Sequence, residues 1–224
     1  MDEIKKTILG ALALAAVSVT PASAGVTSTS YLTPPSYSPD STLITFDSAL
    51  PTGFSLNGGQ ILNTSTSTGA YQGSLAPAGS SGSYLAVGAT SGTQAVLKGT
   101  GNTSWGSVSL LWGSIDSFNK LDVLDTLGNV IKSLTGNDVT SNVTATGTAT
   151  DNNRYVTYTV DPNSGTRIGG LRFNSPTDAF EIDNVAFSQP TPVPEPSTIA
   201  LFALGLLGVF ALRRRTASAK SFAL

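Results

Sequence analysis

Hydrophobic and polar residues alternate over short stretches for most of this chain, and turn residues separate the stretches. That period of two predicts strands. They are expected at 42–46, 60–62, 83–87, 94–98, 107–112, 120–125, 130–134, 154–160, 167–173 and 180–187. In Arg154–Val160, the residues Val156, Tyr158 and Val160 share one face. In Phe180–Phe187, strict alternation puts Phe180 and Ile182 inward but then turns Asn184 in and Val185 out. A bulge at Asp183–Asn184 returns Val185 and Phe187 to the core side. Leu121–Leu124, a turn over Asp125–Asn129 and Val130–Ile131 predict a hairpin. About ten strands with short turns, and no long amphipathic helix among them, predict an all-β, antiparallel two-sheet β-sandwich of jelly-roll or lectin-like form over 40–188.

The two ends break this pattern. Lys5 and Lys6 precede a mostly apolar run, Ile8 to Val19, and Pro21 with Ala22-Ser23-Ala24 follows. A basic start, an apolar centre and small residues at Ala22 and Ala24 make 1–24 a secretory signal helix cut after Ala24, with signal peptidase as partner. Residues 25–39 are Ser/Thr/Pro-rich and read as a flexible leader. Residues 189–198 are Pro-rich and read as a tether. The apolar run 199–212 is uncharged and has no polar face. At 1.5 Å per residue it reaches about 21 Å, short of a bilayer core of roughly 30 Å. Arg213, Arg214 and Arg215 follow, can snorkel to the interface and keep 213–224 on the cytoplasmic side. A transmembrane helix over 199–212, with the body outside, is the expectation.

This C-terminal order, Pro194-Glu195-Pro196, then a short apolar helix, then Arg213-Arg214-Arg215, resembles the PEP-CTERM sorting signal. The resemblance implies recognition by an exosortase in the inner membrane of a Gram-negative bacterium. Pro194, Glu195 and Pro196 would be the recognition box, and the helix would be removed during sorting. Physics suits that role: the two prolines hold the backbone extended and deny it helical hydrogen bonds, so the box stays accessible. The tail from Thr216 to Leu224 is longer than the family's usual ending.

Three stretches of the body, Tyr84-Leu85-Ala86-Val87-Gly88, Leu111 to Asn119 and Phe180 to Phe187, resemble exosortase-dependent surface proteins. That resemblance implies a lectin-like sandwich and transfers no catalytic residue.

Composition then narrows the chemistry. Cysteine and histidine are both absent. Without histidine the usual neutral-pH general base is missing, as are the main zinc and copper ligands. Between 25 and 192 the basic residues are Lys98, Lys120, Lys132, Arg154, Arg167 and Arg172, outnumbered by acids. No basic stripe exists to neutralise phosphates, so nucleic acid is not an expected partner.

Carboxylates, hydroxyls and aromatics remain. Asp47 follows the first predicted strand, while Asp183 and Asn184 lie on the last. Hard oxygens there suit calcium, against a bland reading as turn caps. No other cofactor is expected. Trp105, Asp116 and Asn119 are candidates for a glycan platform, Trp105 exposed in its loop and Trp112 in the core. Asp116 and Glu181 are the candidate glycosidase pair, with no catalysis as the favoured reading. The sequence therefore predicts a non-enzymatic, exosortase-sorted surface or extracellular-matrix protein. Adhesion or exopolysaccharide and biofilm organisation is its expected role, with glycan binding a candidate activity. A purely structural matrix component and a weak carbohydrate-active enzyme are the alternatives.

Overall fold

A computed structural model describes residues 24–30, 33–63, 74–140, 152–189 and 204–206. Ala22–Val193 forms one compact unit. Of the second unit, Met1–Pro21 with Pro194–Leu224, the described residues are Leu204, Gly205 and Leu206, which are helical. The expected signal helix, the Pro-Glu-Pro box and most of the expected apolar helix lie outside the described residues. Among the described residues no helix is long and apolar enough to cross a membrane.

The body is built from β1 (Gly25–Ser30), β2 (Thr42–Ile44), β3 (Phe54–Gly58), β4 (Gln60–Asn63), β5 (Ser83–Val87) and β6 (Gln94–Gly99). Then come β7 (Ser107–Gly113), β8 (Lys120–Asp125), β9 (Val130–Thr135), the one-turn α1 (Gly136–Val139), β10 (Arg154–Thr159), β11 (Ile168–Asn174) and β12 (Phe180–Ser188). A seven-stranded sheet runs β1-β10-β7-β12-β5-β4, with β2 also paired to β12. A five-stranded sheet runs β3-β6-β11-β8-β9. All pairings between strands are antiparallel.

Alternation explains which faces meet. Val108, Leu110 and Trp112 of β7 and Phe180 and Ile182 of β12 join Leu97, Leu121, Val123, Leu171 and Phe173 of the other sheet in one core. Trp112 stacks on Phe180 at 4.4 Å between centroids, and Phe173 meets Phe180 edge-on at 5.5 Å. The predicted bulge is present: the β12–β7 register shifts between Asp183 and Ala186, and Asn184 takes a φ of 50°. Val185 and Phe187 accordingly face the core. β12 is long enough to pair β5 through Phe180–Ile182 and β2 through Val185–Phe187.

The predicted hairpin joins β8 and β9. Asp125 Oδ1 accepts from the backbone N–H groups of Leu127 and Asn129, each at 2.8 Å, and Gly128 supplies the left-handed residue at φ 88°. Two strands were not expected. Gly25–Ser30, inside the stretch read as a leader, pairs with β10 from Gly25–Thr159 to Ser30–Arg154. Phe54–Gly58 pairs with β6. The chain then passes from one sheet to the other across Gly58 and Gly59, both at positive φ, where a Cβ on Gly58 would collide with the Gln94 backbone oxygen.

A buried carboxylate site beneath a strap

Outward-facing residues of a two-sheet protein are normally solvated. On β12 they are Glu181 and Asp183, opposite in phase to Phe180 and Ile182, yet neither reaches solvent: they are 0% and 1% exposed. Ser74 to Ser80 is laid across this outer face as a strap. The Tyr84 hydroxyl donates to the Ser74 carbonyl at 3.1 Å. Leu75 N–H donates to Glu181 Oε1 at 3.2 Å. Pro77 sits against Gly113, where a Cβ would overlap its ring. Ala78 N–H donates to Asn153 Oδ1 at 2.9 Å, and the Ser80 hydroxyl to Asp183 Oδ2. The strap thus touches β5, β12 and β7 and reaches the start of β10.

At one end of the strap Glu181 feels the charge of Asp116. Asp116 is held in the β7–β8 connection by its neighbours. Ile115 N–H donates to the Asn152 carbonyl at 2.9 Å, and Asn119 N–H to the Asp116 carbonyl at 3.2 Å. Ser114 takes a φ of 46° and its side chain bonds to the Glu181 carboxyl. Asn119 ties this loop to the approach to β12, donating to the Ala179 carbonyl at 3.2 Å and accepting from the Ser175 hydroxyl at 2.8 Å. Even so, Asp116 Oδ1 and Glu181 Oε2 are buried with no hydrogen-bond donor. Burial lifts the Asp116 carboxyl to about 6. Burial also lifts Glu181 well above the carboxylate range, and the nearby Asp116 adds to the rise against bonds from Leu75 and Ser114.

At the other end, burial pushes Asp183 up to about 6, opposed by the bonds from Ser80 and Asn184 N–H, with Asp47 close enough to raise it further. Tyr37 is pushed up to about 12, by burial first and then by Tyr155 and Asp183. Asn184 Nδ2 donates to the Tyr155 hydroxyl at 3.4 Å.

The opposite sheet offers a control. Asp122 is equally buried, but Arg172 donates to its Oδ2 through Nε at 3.0 Å and Nη2 at 2.7 Å, and Lys120 lies 3.1 Å from Oδ1. Burial alone would raise Asp122, yet Ser133, Arg172 and Lys120 together hold it below the usual range. Both ion pairs found among the described residues end on Asp122. Glu181 and Asp116 have no cation comparable to Arg172.

The sequence-predicted residues divide accordingly. Asp47, Asp183 and Asn184, the expected calcium set, do gather. However, Asp183 already accepts at Oδ1 from Asn184 N–H at 2.7 Å and at Oδ2 from Ser80, while Asp47 Oδ1 accepts from Ser83 N–H at 2.6 Å. Among the described residues no group of three or more Asp, Glu, His or Cys could hold a metal. The glycan platform of Trp105, Asp116 and Asn119 needs correction, because all three are buried. Trp105 bridges to Ile168 by two backbone bonds, stacks on Phe54 at 4.9 Å and meets Phe187 at a tilt at 4.5 Å. Its cover is Phe54 of β3, a strand the sequence pattern did not reveal. Asp116 lies near enough to Glu181 to act on it electrostatically. Sequence reasoning missed the strap itself. The available signal was Glu181, a lone glutamate at an outward strand position in a segment with no neighbouring Lys or Arg.

These features define the class: an all-β protein of two antiparallel sheets sharing one core. A family model for the PEP-CTERM protein-sorting motif matches residues 192–215. The chain therefore carries a PEP-CTERM sorting motif, as the Pro-Glu-Pro box, apolar run and arginines indicated, and that motif implies exosortase-dependent export to the cell surface. No curated protein matches. Among solved structures, the catalytic unit of the thermostable GH87 alpha-1,3-glucanase from Streptomyces thermodiastaticus strain HF3-3 aligns with 15% identity and a TM-score of 0.31. The alignment covers 64% of this chain and 28% of that one.

Proposed function

We infer that the chain is a non-enzymatic surface or extracellular-matrix protein of a Gram-negative bacterium, working in adhesion or exopolysaccharide organisation. Signal peptidase removes 1–24, exosortase processes the C-terminal anchor, and a jelly-roll, lectin-like body is left outside. The observation that carries this reading is the sorting motif at 192–215, joined to a separate compact unit that ends at Val193. The burial of Asp116 and Glu181 beneath the strap supports the non-catalytic part, since a glycosidic bond must enter between the two carboxyls of a hydrolase. Glycan binding uses surfaces other than the buried Trp105. Two grooves of about 400 and 470 Å³ beside the β8–β9 hairpin share Gly101, Asp125, Thr126 and Leu127, and offer polar groups with Lys98 and Arg167.

The test is fractionation of the native host expressing wild type or Pro194→Ala/Glu195→Ala/Pro196→Ala. Wild type is expected on the surface or in the matrix, and the variant is expected to accumulate in the inner membrane. Equal surface display of both would refute sorting through this box. Polysaccharide turnover that is abolished by Glu181→Gln in a folded protein would refute the non-enzymatic part.

A further inference from the structure

The Ser74–Ser80 strap covers the outer face of β12 but joins neither sheet. Two of its bonds end on the buried acids of that strand, Leu75 N–H on Glu181 and the Ser80 hydroxyl on Asp183. Glu181 is the more constrained of the two. Its Oε1 accepts from Leu75 N–H, and its Oε2 is buried with no hydrogen-bond partner. A neutral carboxylic acid can rest in such a place, whereas a carboxylate there is both unsolvated and unpaired. Asp183 differs, because Asn184 N–H and the Ser80 hydroxyl occupy both its oxygens. No positive charge answers either acid. Glu181 is faced by Ser114 and Asp116 from the β7–β8 connection and by Leu75 of the strap. Asp183 is faced by Ser80 of the strap, Asp47 after β2, Tyr37 before β2 and Tyr155 of β10. Tyr84 of β5 gives its hydroxyl to the Ser74 carbonyl, and Arg154 of β10 bonds to the Asn153 carbonyl. The segments 64–80 and 141–151 contain no Lys or Arg. The same protein holds its other buried strand acid, Asp122, with Arg172 and Lys120. Under the strap the only remaining way to stabilise a charged Glu181 is water.

We propose that the Ser74–Ser80 strap is a pH-sensitive clasp, closed over β12 while Glu181 is a neutral acid and lifted to admit water when Glu181 ionises. Opening frees Leu75 N–H and the Ser80 hydroxyl and releases the Glu181 proton to solvent. The closed state holds that proton more tightly than the open one, since burial raises Glu181 well above the carboxylate range. Opening is therefore favoured as pH rises. A solvated glutamate titrates near about 4.3, so the response begins above that pH and continues until the closed-state value is passed. Within this window each pH unit multiplies the open population about tenfold. Asp183 and Asp116, pushed up to about 6 by burial, add to the lower part of the window. The outer face formed by β5, β12 and β7 thus stays shut in acid and becomes accessible toward neutral and alkaline pH.

Amide hydrogen exchange of the full chain in detergent tests the clasp. Rates are expressed as protection factors, so that the intrinsic pH dependence of exchange cancels. The Leu75 and Ala78 amides of the wild type should lose protection roughly a hundredfold between about pH 5 and pH 7. They should also be less protected than the amides of β8 and β11 throughout, as a locally opening segment is. Glu181→Gln, verified as folded by its far-ultraviolet spectrum, should flatten the loss above the values of about 6 at which Asp116 and Asp183 titrate. Strap protection in the wild type that stays constant or rises with pH would overturn the proposal. Strap amides that exchange no faster than those of β8 and β11 would also overturn it, because the strap would then open only when the whole body unfolds. Both of these readouts come from the wild type and stand even if Glu181→Gln does not fold. A folded Glu181→Gln that keeps the wild-type slope would equally rule Glu181 out as the trigger.

Discussion

Replacing Arg172 with Met removes the forked guanidinium that holds the buried Asp122 on the outer face of the five-stranded sheet. Removing one partner of a buried ion pair typically costs about 3–5 kcal/mol, because the other charge stays buried. Two features lower that figure. Arg172 is 30% exposed, so solvent already screens part of the pair. Lys120 and the Ser133 hydroxyl also remain on Asp122 after the change. The expected loss is about 2–3 kcal/mol, or roughly 5–10 °C in melting temperature for a body of this size. Urea unfolding of wild type, Arg172→Met, Asp122→Asn and the double variant measures it. The cycle should show a coupling energy above about 1 kcal/mol between the two positions. The pH dependence has a definite sign. The Asp122 carboxyl is held below its unfolded value, so its contribution is complete above about pH 4 and disappears as pH falls through the folded value. The gap between wild type and Arg172→Met should therefore shrink in acid. Simple additivity in the cycle, or a gap that widens below about pH 4, would refute the reasoning.

Three further outcomes follow from the packing. Trp105→Ala should cost about 3–5 kcal/mol in denaturant unfolding, because it empties the space between Phe54 and Phe187; a loss below about 1 kcal/mol would mean the ring is exposed after all. Gly136→Ala should destabilise by about 1–3 kcal/mol, since its methyl must displace the Asp116 backbone, and a neutral result would contradict the close approach. At the bulge, Asn184→Gly should be tolerated, whereas Asn184→Val should lose about 1–2 kcal/mol for a β-branched residue at φ 50°; equal stability of the two would argue against the left-handed conformation.

Much of the sheet structure was legible because alternation carries it. Ser83–Val87 and Lys120–Asp125 have the expected bounds, and the bulge at Asp183–Asn184 follows from the need to keep Phe180, Ile182, Val185 and Phe187 on one side. The two missed strands lack that signal. Gly-Val-Thr-Ser-Thr-Ser has a single large apolar residue, and β1 is held by ladder bonds to β10. Phe54-Ser-Leu-Asn-Gly does alternate, but Gly53, Gly58 and Gly59 disguise it as a loop. Trp105 looked exposed because its local neighbours are polar, whereas its burial depends on Phe54 and Phe187, both far away in sequence. The carboxylate site was half legible. Asp116 and Glu181 could be named as a pair, but their surroundings come from a strap of mostly small residues without alternation, whose path depends on tertiary bonds to Tyr84, Glu181 and Asp183.

Three stretches singled out in the sequence, 84–88, 111–119 and 180–187, come together in the fold. Tyr84–Gly88 contains most of β5, Leu111–Asn119 ends β7 and forms the Asp116 loop, and Phe180–Phe187 is nearly all of β12. β5 and β7 flank β12, so stretches far apart in the chain form one continuous patch. Within it, Tyr84 anchors the strap, Gly113 makes room for Pro77, and Asp116 and Glu181 are both buried. The three stretches thus supply the strap's anchor, its seat and the acids it covers.

Export followed by sorting at the C-terminus is tested most directly by the intact mass and N-terminal sequence of the protein recovered from the native host's surface. A chain that begins at Gly25 and has lost residues 199–212 is the predicted result. An unprocessed chain, still starting at Met1, ending at Leu224 and found in the cytosol, would contradict it.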